Sequence, residues 1–90
     1  MANFEYDPEK SAANAAKHGV DFEAAQALWL DPNRIEIPAR TTPEPRTLVI
    51  ALWRGKHWSS VVTARSPNVR IISVRRARQE EIAIYENNDF

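Results

Sequence analysis

Apolar residues recur with a helical period in the first third of this chain and with strand-like spacing in the rest. Residues 4–6 ("FEY") read as a short strand. "DPEKSAANAAKHG" then has helix punctuation at both ends: Asp7 can cap, Pro8 takes the first helical position, and Gly19 suits the left-handed C-terminal position. "VDFEAAQALWLDP" restarts the pattern with Asp21 as cap and Val20 as a staple over it. Phe22, Ala25, Leu28 and Trp29 fall on one face, and Asp31-Pro32 stops the helix. A proline-rich stretch, 34–46, predicts a short edge strand at 35–37 followed by a loop through Pro43 and Pro45.

Three strand-like runs follow at 46–53, 57–65 and 69–76, which predict an antiparallel meander. Residues 78–87 are helical in composition. The expected fold class is α+β, with N-terminal helices packed on an antiparallel sheet, a closing C-terminal helix, and one sheet face left open for function.

Turn chemistry sets the expected register. A two-residue Gly55-Lys56 turn pairs Trp53 with Trp58 and sets Arg46 opposite Arg65. Thr47, Val49 and Ala51 then share the tryptophan face with Ser60 and Val62. Leu48, Ile50, Leu52 and Val61 share the other face, which reads as the better core. A Pro67-Asn68 turn puts Ser73 and Arg75 on the tryptophan face and sends Ile72 and Val74 into that core. A three-residue loop reverses this. Arg75 and Arg76 point to opposite faces in either register, so only one of them can serve a given site.

Length and charge narrow the function. Ninety residues make one small domain, 1–90, with a single modest core. The formal net charge is zero, but it is unevenly placed. Residues 1–33 carry two lysines against six acids (−4), residues 34–78 carry ten basic residues against Glu36 and Glu44 (+8), and residues 79–90 carry four acids (−4). The basic middle segment calls for an anionic partner. Zero cysteines exclude disulfides, thiolate chemistry and cysteine zinc sites. No apolar run reaches membrane-spanning length and no signal-peptide pattern opens the chain, so cytoplasm is the expected compartment. Two isolated histidines give no metal-ligand spacing, so neither metal nor cofactor is expected.

Lys10, Asn14, Lys17 and His18 lie within about 100° on an ideal helical wheel. They form one polar stripe, which also suits the dipole at the helix C-terminus. His57, beside "RGK", reads as solvated. Glu81 and Tyr85 are four apart and share a face of the last helix. Glu81 can pair with Arg75 or Arg78, or handle protons in a site. "RIISVRRARQEE", residues 70–81, ends a strand in three arginines over four positions and turns at once to acid. Trp53 and Trp58 flank "RGKH" as an aromatic pair at the hairpin end, where they would anchor a partner.

These motifs resemble a known family. The pattern Phe4, Tyr6-Asp7, Lys10, Asn14, Lys17-His18-Gly19-Val20, Phe22 and Ala25 looks like the opening of BrnT toxins. Asp31-Pro32 fits as well, and so does the tail from Arg70 to Ala77 followed by Glu81 and Tyr85. Tyr6 stands where tryptophan is usual in that family, Ala51 where glycine is, and Val74 where alanine is.

The resemblance implies a type II toxin–antitoxin toxin, a ribonuclease of RelE-like fold that arrests translation. It implies a BrnA-type antitoxin with a ribbon-helix-helix DNA-binding domain, repression of the operon through operator DNA, and two toxins assembled with two antitoxins. Metal-free RNA cleavage needs a base, an acid and cationic donors for the phosphorane. Arg65 and Arg75 are the candidates for phosphate stabilisation. Lys17, His18 and Glu81 are candidates for positioning and proton transfer, and Lys10, Ser73, Arg76 and Tyr85 for substrate contact. The competing reading is a non-catalytic antitoxin-binding co-repressor, or an RNA-binding module.

Overall fold

The computed structural model describes residues 3–39 and 44–87. Pro43 and the rest of 40–43 lie outside them. The chain runs β1 (Asn3–Glu5), α1 (Pro8–His18), α2 (Phe22–Ala25), a 3₁₀ helix (Gln26–Leu30), β2 (Ile35–Ala39), β3 (Arg46–Trp53), β4 (Lys56–Arg65), β5 (Asn68–Arg76) and α3 (Gln79–Glu86). The five strands form one sheet in the order β1-β5-β4-β3-β2. The expected meander is present, but the sheet is mixed, because β1 joins β5 in parallel through Asn3 to Asn68 and Glu5 to Arg70.

The helix punctuation acts as read. The Asp7 carboxylate accepts the Glu9 N–H at 2.8 Å. Gly19 closes α1 at φ 79°. Asp21 accepts the Ala24 N–H at 2.8 Å. The second helix tightens to 3₁₀ from Gln26 instead of continuing as α. Phe22, Ala25 and Leu28 still point inward and are fully buried. Trp29 packs edge-on against Phe4, with ring centroids 4.8 Å apart.

The core lies on the tryptophan face, not the leucine face. Val20, Phe22, Ala25 and Leu28 close over Val49, Ala51, Trp58, Val62, Ile71 and Val74. Fully burying each of the larger side chains contributes about 1.5–3 kcal/mol. Trp58 is only 8% exposed and belongs to this core, so its ring is not free to anchor a partner. Ala51 pairs directly with Trp58, and its small side chain leaves room for the indole. On the other face only Ile50 of the expected core residues is fully buried, while Leu52 is exposed.

Two register differences explain the exchange. The first hairpin turns on Arg54-Gly55, which pairs Trp53 with Lys56 and Ala51 with Trp58. This slides the strands by two residues, so face membership survives but Arg46 no longer opposes Arg65. The second hairpin turns on Ser66-Pro67, pairing Arg65 with Asn68. Its register then shifts between Val61 and Val62: Val62 pairs with Ile71, but Val61 pairs with Ser73. Ile72 is the extra residue, a β-bulge. Ile71, before it, lies on the helix-covered face in either case; beyond it, Val74 moves to that face and Ser73 and Arg75 to the opposite one.

Two buried side chains hold the bulge. Asn14 Oδ1 accepts the Val74 N–H at 3.2 Å while its Nδ2 donates to the Val20 carbonyl at 2.7 Å. Ser60 Oγ donates to the Ser73 carbonyl at 3.0 Å. Asn14→Ala leaves a buried donor and a buried acceptor unpaired, which should cost on the order of 2–3 kcal/mol in urea unfolding. Lys10→Ala and Lys17→Ala, at exposed positions of the same helix, should stay within about 0.5 kcal/mol. An Asn14→Ala variant as stable as its parent would show that the bulge does not need this clasp.

Candidate functional site

Register collects arginine on the face opposite α1 and α2. Arg46, Arg65, Arg70 and Arg75 all share it, as do Ser59, Val61, Ser73 and His57. The helix α3 folds back over one end of this face and packs on β3. Eight residues make a helix too short to be stable alone, so its position depends on contacts with the sheet.

Glu81 is the central contact, and it is buried. Its Oε1 and Oε2 accept from Arg75 Nη1 and Nη2, both at 2.8 Å. Oε1 also accepts the Ser59 hydroxyl at 2.9 Å and the Arg78 N–H at 2.8 Å. The last bond is half of a capping box, so the carboxylate that holds Arg75 also starts α3. The Arg75 pair is the main cause that lowers the Glu81 pKa to about 2; burial opposes it, and the Arg78 and Ser59 bonds reinforce it. Glu81 is therefore ionised near neutrality but a weak base. The same pairing raises the Arg75 pKa.

Arg75 keeps capacity for a ligand. Nη1 and Nη2 face Glu81, and a further Nη1 hydrogen points to the Arg76 carbonyl at 3.3 Å. A guanidinium has five N–H donors. The remaining fork, Nε with the second Nη2 hydrogen, has no partner among the described residues, and it has the geometry that meets two phosphate oxygens.

A second polar cluster fixes the far end of α3. The Tyr85 hydroxyl donates to Asp31 Oδ2 at 2.7 Å, and that oxygen also accepts the Leu52 N–H at 2.8 Å. Burial and then the Asp31 bond push the Tyr85 pKa up to about 12, so it acts as a neutral donor. For Asp31, burial raises the pKa, but the bonds from Leu52, Tyr85 and Asn33 outweigh it and the net shift is downward. His57 Nε2 lies 2.7 Å from Glu86 Oε2, with its ring edge-on to Tyr85 at 5.1 Å.

The candidates do not all converge. Arg75 meets Glu81 of α3, Tyr85 lies one turn further along the same helix and bonds Asp31, and Ser73 shares the sheet face of Arg75. Arg65 shares the face as well, but it lies six residues along β4 from Ser59, the partner of Arg75. At about 3.3 Å per residue that is roughly 20 Å, too far to share one phosphate. Arg65 faces Glu44 at 3.8 Å. Arg76 is on the opposite face, its guanidinium 5.5 Å from the Trp58 ring centroid. Lys10 and Lys17 are exposed on α1 and His18 is half-buried at its end. Among the described residues, no hydrogen bond or ion pair links these three to Arg75 or Glu81. Asn14, the remaining member of that stripe, is structural. Ser59 carries no signal in the sequence, Asp31 reads there as a helix stop and part of the family resemblance, and His57 as a solvated side chain. His57 read as solvated because Glu86, its partner, is 29 positions away.

The sequence as a whole decides the family. A family model described as "Ribonuclease toxin, BrnT, of type II toxin-antitoxin system" matches residues 6–81. The chain belongs to the BrnT family. BrnT proteins are ribonuclease toxins of type II systems, and a toxin of that kind has an antitoxin partner. A comparison with curated proteins found no match. No helix among the described residues is long and apolar enough to cross a membrane. The BrnT match spans both the α1 residues and the Arg75 to Glu81 segment, so the Arg75–Glu81 pair is inside the family's own region, while Tyr85 and Glu86 lie beyond it.

The Glu81 cluster predicts an acid limb of stability. A carboxylate whose folded pKa lies below its unfolded value stabilises above the unfolded value and loses that contribution as pH falls through the folded one. With Glu81 moving from 4.5 to about 2, the contribution is complete above pH 4.5 and fades toward pH 2. Its size is on the order of 2–3 kcal/mol. Glu81→Gln should remove most of this slope from urea unfolding measured across that range. An unchanged slope would assign the acid sensitivity to other carboxylates.

Proposed function

We propose that this chain is a metal-independent endoribonuclease that blocks translation in the cytoplasm and is neutralised by a BrnA-type antitoxin. The observation that carries the reading is the Arg75 guanidinium, fixed by Glu81 and still presenting a phosphate-matching fork on an arginine-lined sheet face. RNA is the polyanion that such a face suits. Support for catalysis without a metal comes from the carboxylates themselves: the oxygens of Glu81 and Asp31 are already engaged by protein donors.

In this reading Arg75 binds the scissile phosphate and stabilises the phosphorane. Glu81 positions Arg75. Its low pKa argues against use as the base. His57 supplies an imidazole on the same face, two residues before Ser59, with Glu86 as its orienting carboxylate. It is the proposed proton-transfer group. Ser73 and Tyr85 line the substrate path. Arg65, Lys10, Lys17 and His18 contact the RNA backbone away from the cleaved bond. The fold is read as RelE-like. The antitoxin's ribbon-helix-helix dimer would bring two toxins together on operator DNA, with an acidic or apolar segment over the arginine face.

Arg75→Ala should abolish RNA cleavage assayed in chelator while circular dichroism shows a retained fold. Full activity in that variant would remove Arg75 from the mechanism, and activity lost from the parent in chelator would remove metal independence. RNA affinity, measured with an uncleavable 2′-O-methyl strand, should fall steeply with salt, by about 0.7 in log–log slope per phosphate neutralised. A flat response would mean that the basic block faces something other than nucleic acid.

A further inference from the structure

The β3–β4 hairpin tip carries a second cationic assembly, on the face away from Arg75. Its turn is Arg54-Gly55, with φ 52° and 76°, the positive pair of a type I′ turn. Asn, Asp and Gly are the usual residues there, and an arginine in the left-handed region is disfavoured. The Arg54 guanidinium lies over the Trp53 ring, 4.7 Å from its centroid. Trp53 meets Trp58 edge-to-face at 5.9 Å, and Arg76 lies over Trp58 at 5.5 Å. The result is a cation–aromatic–aromatic–cation row across β3, β4 and β5. Lys56 stands opposite Trp53 in register. Arg54, Lys56 and Arg76 are all exposed, and none is in an ion pair among the described residues.

We infer that this row is a binding subsite for single-stranded RNA, holding a nucleotide that flanks the cleaved bond. It rests on the ribonuclease reading above. Trp58 is the buried floor, Trp53 the half-buried wall, and the Arg54 guanidinium the exposed planar surface. RNA-binding proteins stack unpaired bases on such aromatic and guanidinium planes. Lys56 and Arg76 stand ready for the adjoining phosphates. An acidic peptide is a poorer match, because its carboxylates would meet the exposed cations but leave the aromatic and guanidinium stacking surface unused. The location also fits. Arg76 pairs with Trp58 and Arg75 with Ser59, one rung apart at the same end of the sheet and on opposite faces. A strand bound at Arg75 reaches the row by passing over that end.

The test is Arg54→Asn in the full chain, because asparagine accepts the positive φ and the turn should be kept. Binding is read by anisotropy of a labelled 2′-O-methyl RNA of about ten nucleotides, within the usual single-strand site size. The thermal midpoint should be unchanged or raised, and RNA affinity should fall on the order of ten-fold. RNA should also quench tryptophan fluorescence more in the parent than in the variant. RNA affinity equal to the parent's would overturn the subsite. So would a variant that keeps RNA affinity but loses antitoxin affinity, which would make the tip a protein interface. If the parent itself neither binds nor cuts RNA, the ribonuclease reading falls and takes the subsite with it. If the parent cuts RNA and Arg54→Asn binds it as tightly, only the subsite falls.

Discussion

Between Val61 and Val62 the pairing of β4 with β5 shifts by one residue, and that shift decides where Arg75 points. Strand side chains alternate with period two, so one inserted residue moves everything beyond it to the other face. Without the bulge, Arg75 would project toward the face that α1 and α2 cover. With it, Arg75 meets Ser59 and the carboxylate of α3. A bulge disturbs the local ladder, so it persists only where other donors and acceptors compensate. Asn14 and Ser60 do this at Val74 and Ser73. A buried asparagine on the first helix, bonded to Val74 sixty residues later, therefore supports the orientation of the arginine that follows it.

The same economy of polar contacts fixes α3. Its Ile84 is exposed and its Ile82 only half-buried, and Glu81 is its buried residue. Three polar links attach it: Glu81 to Arg75 and Ser59, Tyr85 to Asp31, and Glu86 to His57. A buried carboxylate is costly unless its oxygens are satisfied, and Glu81 has four bonds from three residues. Removing one partner would leave charge uncompensated, so helix position and arginine geometry are coupled. Asp31 extends the coupling to β3, since one of its oxygens holds both Tyr85 and the Leu52 N–H.

Much of this was legible in the sequence because it is local. Caps such as Asp7, Asp21 and Gly19 act within a few residues, and strand bounds follow turn residues. Register was less legible. Gly55-Lys56 looks like the better turn, because Arg54 is a poor residue for positive φ, yet Arg54-Gly55 is the turn formed. The choice of core face was misjudged because Thr47 and Ser60 make the tryptophan face look polar. Ser60 is buried all the same, because its hydroxyl donates to the Ser73 carbonyl. The bulge has no sequence signature. The Glu81 to Arg75 pair was one of two open pairings, and the partners of Asp31 and His57 lie too far along the chain to be read from spacing.

The arginine-rich end of β5 can now be resolved residue by residue. Arg75 faces the α3 side and carries the fork. Arg76 faces the other way and covers Trp58. Arg78 contributes its backbone N–H, not its charge, to the Glu81 cap that begins α3. The three arginines do not form one patch, because strand alternation separates the first two and the helix start takes the third. The switch from arginine to glutamate is the structural device itself: the strand delivers a cation to the open face, and the next turn of chain returns a carboxylate to hold it. A lysine at 75 would keep the charge but lose the planar two-sided fork, which alone can engage Glu81 along one edge and a phosphate along another.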